Sequence, residues 1–111
     1  MNLIEHFIDG KIFPGSSKRR GKVFNPATGE QTAEIKLGTT EDVNKAVQSA
    51  KKAFVSWSNT PPLQRARVMF KFKEIIEKNS DELTKIIVSE HGKVYEDAKG
   101  SLVRGLEIVE Y

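Results

Sequence analysis

The 111-residue sequence contains no cysteine. That absence removes disulfides, thiolate metal sites and a cysteine nucleophile from these residues, and it suits a reducing compartment only weakly. No apolar run approaches the length of a membrane span. The start, Met1 to His6, has no basic cluster followed by an apolar stretch, so no secretory signal is visible. The expectation is a cytoplasmic chain without membrane contact. There is no internal repeat, no low-complexity tract, no Gly-x-Gly-x-x-Gly and no complete Walker loop. The run from Gly100 to Gly105 has a similar outline but lacks the Lys-Ser/Thr ending. Only two histidines occur, His6 and His91, in separate elements with no carboxylate at a metal-ligand spacing. No metal site is expected, and no Ser/His/Asp arrangement can be argued.

What is present describes a globular chain with room for one modest core, at 38% hydrophobic and 30% charged residues. The net charge of +3 is confined to the first 25 residues, where Lys11, Lys18, Arg19, Arg20 and Lys22 outnumber Glu5 and Asp9; the remainder is balanced. A nucleic-acid footprint would spread cations over a face or interleave them with aromatics. This excess is short and flanked by Gly and Ser, so it reads as a solvated loop, and no nucleic-acid partner is expected.

Residues 1–38 are strand-like. Ile4–Ile8 and Lys11–Phe13 form a hairpin across Asp9-Gly10, a pair that supports the positive φ angles of a type I′ turn. A second hairpin joins Lys22–Asn25 to Gln31–Leu37 across Pro26-Ala27-Thr28-Gly29. Ala33, Ile35 and Leu37 alternate with Glu34 and Lys36, as in a half-buried strand. From residue 39 to 111 the period becomes helical. Thr39 or Thr40 caps a helix whose first turn carries Glu41 and Asp42 near the positive end of the dipole. Val43, Ala46, Val47, Ala50, Ala53, Phe54 and Trp57 form its apolar stripe.

Pro61-Pro62 ends that helix and opens a second, to about Lys78, with Glu74 and Lys78 as an i,i+4 pair. Ala66, Val68, Met69, Phe72, Ile75 and Ile76 fill its apolar faces. Asn79-Ser80-Asp81 reads as a break and a new cap for a shorter helix carrying Leu83, Ile86 and Ile87. That helix ends at Gly92, with His91 favoured by the dipole at its close. A last helix, Val94 to Tyr111, places Tyr95, Ala98, Leu102, Leu106 and Val109 on one stripe, with Val103 and Ile108 off it. Apolar on more than one side and without a stop signal, it reads as buried between other elements and as the front end of a larger protein. The expected class is α+β and helix-rich: β-hairpins followed by three or four packed α-helices.

Residue patterns alone leave the function open; three segments narrow it by resemblance. Phe24-Asn25-Pro26-Ala27-Thr28-Gly29-Glu30 is similar to the turn near the start of aldehyde dehydrogenases, and it follows His6-Phe7-Ile8-Asp9-Gly10-Lys11, similar to their first hairpin. The stretch from Ala46 to Trp57, the Arg65-containing helix and Glu90-His91-Gly92-Lys93 continue the likeness, which covers nearly the whole chain. Within the family, Thr60–Phe70, Glu90-His91-Gly92-Lys93 and Arg104–Glu110 most resemble the CoA-acylating methylmalonate-semialdehyde dehydrogenases. The resemblance implies the N-terminal portion of an aldehyde dehydrogenase fold. It implies NAD and CoA as cofactors of a tetrameric full-length enzyme that converts methylmalonate or malonate semialdehyde to propionyl- or acetyl-CoA. The family's nucleophilic cysteine, its glutamate partner and its NAD-contacting turn have no counterpart in these residues, so no catalytic or cofactor-binding residue is assigned and no cofactor is expected on this chain alone. Residues 39–111 correspond to helices that precede the NAD-binding domain and normally belong to it.

Two functional classes stay open. One is a segment of the oxidoreductase; the other is a truncated stand-alone product that acts by association through an exposed hairpin edge or apolar helix. Self-association is expected in either case. One site residue is named, Arg104, flanked by Gly100 and Gly105. Each glycine costs a helix about 1 kcal/mol relative to Ala and so points to close approach by a neighbour. Its guanidinium either pairs with Glu107 or Glu110, as helical Arg and Glu commonly do, or, as the resemblance implies, grips the substrate's carboxylate. Without a thiol, the purified chain is expected to form no NADH from a semialdehyde. Turnover proportional to chain concentration, persisting after contaminants are removed, would overturn that.

Overall fold

The computed structural model describes residues 2–111. Its elements run β1 (Asn2–Ile4), β2 (His6–Ile8), β3 (Lys11–Phe13), β4 (Arg20–Phe24), β5 (Gln31–Lys36), α1 (Thr40–Asn59), α2 (Pro62–Lys78), α3 (Ser80–His91) and α4 (Tyr95–Glu110). This is the helix-rich α+β class that the sequence pattern predicts. No helix is long and apolar enough to cross a membrane among the described residues. The chain forms two compact units: residues up to Phe24 with Glu30–Asn59, and Asn25–Gly29 with Thr60–Tyr111.

In the first unit, β2 and β3 pair antiparallel with Ile8 opposite Lys11, leaving a two-residue loop. Asp9 and Gly10 both have positive φ, 57° and 72°, as a type I′ turn requires. β4 and β5 pair antiparallel, with an irregularity between Val23 and Phe24. One strand differs from expectation. The chain breaks at Glu5, and Asn2–Ile4 leaves the first hairpin to run parallel to β5, giving a three-stranded sheet in the order β1-β5-β4. Parallel pairing between residues thirty apart has no local signature, whereas a hairpin announces itself through its turn.

Ala33, at the centre of that sheet between Asn2 and Val23, is buried. The predicted alternation stops there, because Ile35 and Leu37 each remain 39% exposed. Ile35 lies between Ile4 on β1 and Gly21 on β4, and Gly21 has no side chain to cover it from that side.

Asp42 is the buried polar centre of this unit, at 3% exposure. Thr39 caps α1: its Oγ1 accepts from the Asp42 N–H at 3.2 Å, while Asp42 Oδ2 accepts from the Thr39 N–H at 2.9 Å. This is a reciprocal capping box built with Asp rather than Glu. The same carboxylate accepts from the Ser16 N–H at 3.0 Å and the Ser16 hydroxyl at 3.1 Å. Elsewhere α1 touches the first hairpin through Lys45 Nζ, 5.4 Å from the Phe13 ring centre, and through Ser49, whose hydroxyl donates to Asp9 at 3.3 Å. Its apolar stripe is largely uncovered: Val43, Val47, Phe54 and Trp57 are all exposed. The basic loop is tied inward, Arg19 donating to the Gly38 carbonyl at 3.0 Å and Arg20 pairing with Glu34 at 2.8 Å.

In the second unit, α2, α3 and α4 pack on one another. α2 starts on Pro62, as the diproline predicts. The Asn79 side chain does not cap α3; its amide donates back to the Ile75 carbonyl at 2.7 Å and closes α2. Glu74 pairs with Lys71 at 2.8 Å rather than with Lys78. The inward stripe of α2 runs through Ala66, Lys73 and Ile76, leaving Val68, Phe72 and Ile75 about half exposed. Lys73 reaches Glu110 at 2.7 Å and Glu77 at 3.2 Å; these hydrogen bonds, that to Glu110 foremost, raise its pKa above the ordinary lysine value.

The centre of the three-helix contact is small. Thr84 of α3 and Ala98 of α4 are fully buried, and the Thr84 hydroxyl is satisfied by the Ser80 carbonyl at 2.7 Å. Ile86, two residues and about 200° round the helix from Thr84, is therefore on the outside, 45% exposed, while Leu83 and Ile87 face inward. At the start of α4 the Tyr95 hydroxyl donates to Asp81 at 2.8 Å, and Lys85 pairs with Asp81 at 2.6 Å. The Lys85 hydrogen bond first, and Tyr95 second, hold the Asp81 carboxyl below its usual range. In α4, Ala98, Leu102, Leu106 and Val109 face inward as predicted, but Tyr95 of the same stripe is 36% exposed, and Val103 and Ile108 are exposed as well.

Gly92 ends α3 with φ 79° and its N–H on the Val88 carbonyl at 2.9 Å. A Cβ there would stand 3.0 Å from Pro26 Cγ, so only glycine serves both the left-handed turn and the contact with the Asn25–Gly29 turn. That turn is held by Gly29 N–H on the Asn25 carbonyl at 2.8 Å and by Ala27 N–H on the Asn25 side chain at 2.9 Å.

Hydrogen bonds from Thr39 and Ser16, the Thr39 backbone first, keep the Asp42 carboxyl below its ordinary value of 3.8. A depressed carboxyl stabilises the fold above the unfolded value, and that contribution is lost as pH falls through the lower folded value. Asp42→Asn should therefore flatten the fall of the urea midpoint below about pH 4 relative to the parent chain. Parallel acid limbs in the two proteins would overturn the assignment.

Candidate functional site

The candidate site is built from the Gly92-terminated end of α3 and the first turns of α4. Gly92 reverses the chain, so Lys93 follows immediately and Val94, with extended backbone, leads into α4. Lys93 Nζ reaches forward to the Ser101 hydroxyl at 2.9 Å. One turn further along α4, Arg104 Nη2 donates to the same oxygen at 3.2 Å. Ser101 in turn donates to the Asp97 carbonyl at 3.2 Å, four residues back. A hydroxyl has one proton and two acceptor positions, so Ser101 is fully occupied: its proton goes to the backbone and its lone pairs to two cations.

The ion pair of Arg104 with Glu107 or Glu110 is not formed among the described residues. Glu110 is engaged with Lys73, and neither Arg104 nor Lys93 forms a salt bridge among the described residues. Arg104 is exposed, with Ser101 as the partner of its fork and four of its five N–H donors uncommitted to that bond. Two cations drawn onto one neutral oxygen repel each other, and an anion placed between them relieves that repulsion. Chemically, the cluster can receive a carboxylate or similar oxyanion.

The flanking glycines behave differently from each other. A Cβ at Gly100 would lie 3.5 Å from Arg104 Nη1, an ordinary van der Waals contact, so the guanidinium lies beside this position without requiring glycine there. Gly105 has nothing within 4 Å, and the close approach expected there is not made within this chain. Ile108, one turn beyond Arg104, is 77% exposed and gives it no apolar cover.

Resemblance named Arg104, and neither it nor the residue pattern named Lys93 or Ser101. The available signal was a Lys placed directly after a helix-ending glycine, where the chain turns toward the next helix. The other candidates stay apart. His91 closes α3 and is exposed. His6 stacks near Phe13, ring centres 6.4 Å apart, with Nε2 buried and unpartnered. No group of three or more His, Cys, Asp or Glu could hold a metal among the described residues.

Comparison with known proteins adds a lineage to this geometry. The malonate-semialdehyde dehydrogenase of Pseudomonas aeruginosa is 42% identical over all 111 residues, which correspond to 22% of its length. The methylmalonate-semialdehyde dehydrogenase of Oceanimonas doudoroffii superposes with a TM-score of 0.96 at 49% identity, over 100% of this chain and 22% of that one. A Sinorhizobium meliloti protein named for the same activity, solved in complex with NAD, gives 0.96 at 46% identity over 99% of this chain and 22% of its own. The chain thus spans about a fifth of the length of the relatives it matches. The model of the aldehyde dehydrogenase family matches residues 13–111, and the chain belongs to that family.

Proposed function

We propose that the chain is the N-terminal segment of an NAD-dependent, CoA-acylating oxidoreductase that converts methylmalonate or malonate semialdehyde to propionyl- or acetyl-CoA. In this reading the enzyme works in the cytoplasm as a homo-oligomer, a tetramer by resemblance. It has no nucleic-acid or membrane partner. The observation that carries the reading is the 42–49% identity, across the whole chain, to proteins named for malonate- or methylmalonate-semialdehyde oxidation. Residues 1–38 serve as the β-arm and residues 39–111 as the helices leading into the NAD-binding domain. Hydride acceptance belongs to NAD and acyl capture to CoA, with the reacting groups supplied from outside these residues.

The segment's own contribution to chemistry is recognition through Arg104. Malonate and methylmalonate semialdehydes carry a carboxylate that ordinary aldehydes lack, and a planar, permanently charged fork suits that group better than a lysine would. The exposed guanidinium without a carboxylate partner supports this role. In the full-length enzyme, Arg104→Leu should lower kcat/KM for malonate semialdehyde by about 1.5–3 kcal/mol in transition-state terms, the value of a charge-assisted hydrogen bond. Propanal oxidation should stay nearly unchanged. Equal losses on both substrates would make Arg104 structural.

One observation also favours association by the isolated chain. It exposes 8592 Å², against about 6,200 Å² for a folded monomer of its mass, and among the described residues the buried hydrophobic ones are Ala33 and Ala98. Such uncovered apolar surface marks interaction faces. The stand-alone reading, an association module, rests on this feature, and so does the need of an enzyme segment for the rest of its chain. Light scattering on the purified 111 residues should give an oligomer; a clean monomer at high concentration would contradict self-association.

A further inference from the structure

Lys93 and Ser101 are bonded into the same cluster as Arg104, and the proposed role of Arg104 does not use them. We infer that Lys93, Ser101 and Arg104 form one two-cation seat for the substrate carboxylate, with Ser101 as the positioning residue and Lys93 as the second charge. This rests on the reading of Arg104 as a carboxylate ligand and deepens it.

The argument comes from how the Ser101 hydroxyl is spent. Its proton is committed to the Asp97 carbonyl and both acceptor positions to the cations, so its orientation is fixed from three sides. An arginine free on a helix surface samples many rotamers, and ordering it on binding costs affinity. Ser101 removes part of that cost by holding one N–H of the fork. Lys93 is half-buried and its position is set by the αL turn at Gly92, so its ammonium is delivered to the same oxygen from the opposite chain direction. Among the described residues no carboxylate forms an ion pair with either cation. A pair of like charges held together without a counter-ion is a structure awaiting an anion, and a carboxylate can accept from both donors at once through its two oxygens.

The test compares kcat/KM for malonate semialdehyde and propanal in the full-length enzyme. Lys93→Gln should lower the value for the semialdehyde by about ten-fold, chiefly through KM, and leave propanal within about two-fold. Lys93→Arg, which restores the charge, should recover most of the loss. Ser101→Ala, which removes a single oxygen, should raise KM for the semialdehyde several-fold. Combined with Arg104→Leu it should add little, because the two changes then remove the same interaction. Propanal turnover reports an intact fold in every variant. If Arg104→Leu is selective for the semialdehyde while Lys93→Gln and Ser101→Ala cost nothing, or cost equally on both substrates, the seat is overturned and the role of Arg104 stands. If Arg104→Leu itself shows no selectivity, both fall. If Lys93→Gln does not fold, Ser101→Ala alone carries the decision.

Discussion

Neutral donors converging on the Asp42 carboxylate join the loop after β3 to the start of α1. The Thr39 and Ser16 N–H groups and the Ser16 hydroxyl supply the bonds, and the Asp42 N–H returns one to Thr39. A nearly buried carboxylate survives desolvation only when its oxygens are occupied in this way. In doing so it fixes the start of α1, the exit of β5 and the loop after β3 in one stroke. Because the partners are amides and hydroxyls rather than cations, the arrangement is little affected by ionic screening. It differs in this from Lys73 and Glu110, which join α2 to the end of α4 through opposite charges.

The helical unit is organised around smallness. Thr84 and Ala98, not the large aliphatics, occupy the deepest positions, which lets α3 and α4 approach closely. Tyr95 and Lys85 on Asp81 then lock the beginning of α4 to the beginning of α3. That lock matters to the site, because Ser101 and Arg104 sit one and two turns along from Ala98 on the same rigid element. Lys93 enters from the turn that Gly92 creates. The candidate site is thus an outcome of helix termination: a left-handed residue that reverses the chain also presents a cation to the next helix.

What the sequence made legible had local causes. Asp9-Gly10 announced its turn, Pro62 its helix start and Gly92 its helix stop, since each is a backbone preference carried by one or two residues. The stripe of Ala98, Leu102, Leu106 and Val109 was legible for the same reason, being a periodicity within one element. What escaped was set by distant partners. β1 left its hairpin for β5. Lys73 took an inward position because Glu110 was there to receive it. Ile86 lost burial because Thr84 defined the inner face. Arg104 was named through resemblance, yet Lys93 and Ser101 went unnoticed, because a shared hydroxyl between residues eight apart across a helix boundary has no periodic signature.

The uneven support of α1 has a dynamic consequence. Its beginning is pinned by the capping box, and at its far end its own side chains bond back to the helix, Asn59 donating to the Val55 carbonyl at 2.8 Å and Ser58 to the same oxygen at 3.3 Å. Between them the apolar stripe is in solvent, so tertiary packing adds little to helical stability along most of the twenty residues. Such a helix opens by fraying. Amides near Asn59 exchange through small, fast, local openings, and protection rises steadily toward Asp42, where release requires the loop at Ser16 to let go as well. The helix is anchored at the end where the charge is buried and carries its aromatic residues, Phe54 and Trp57, exposed toward the other.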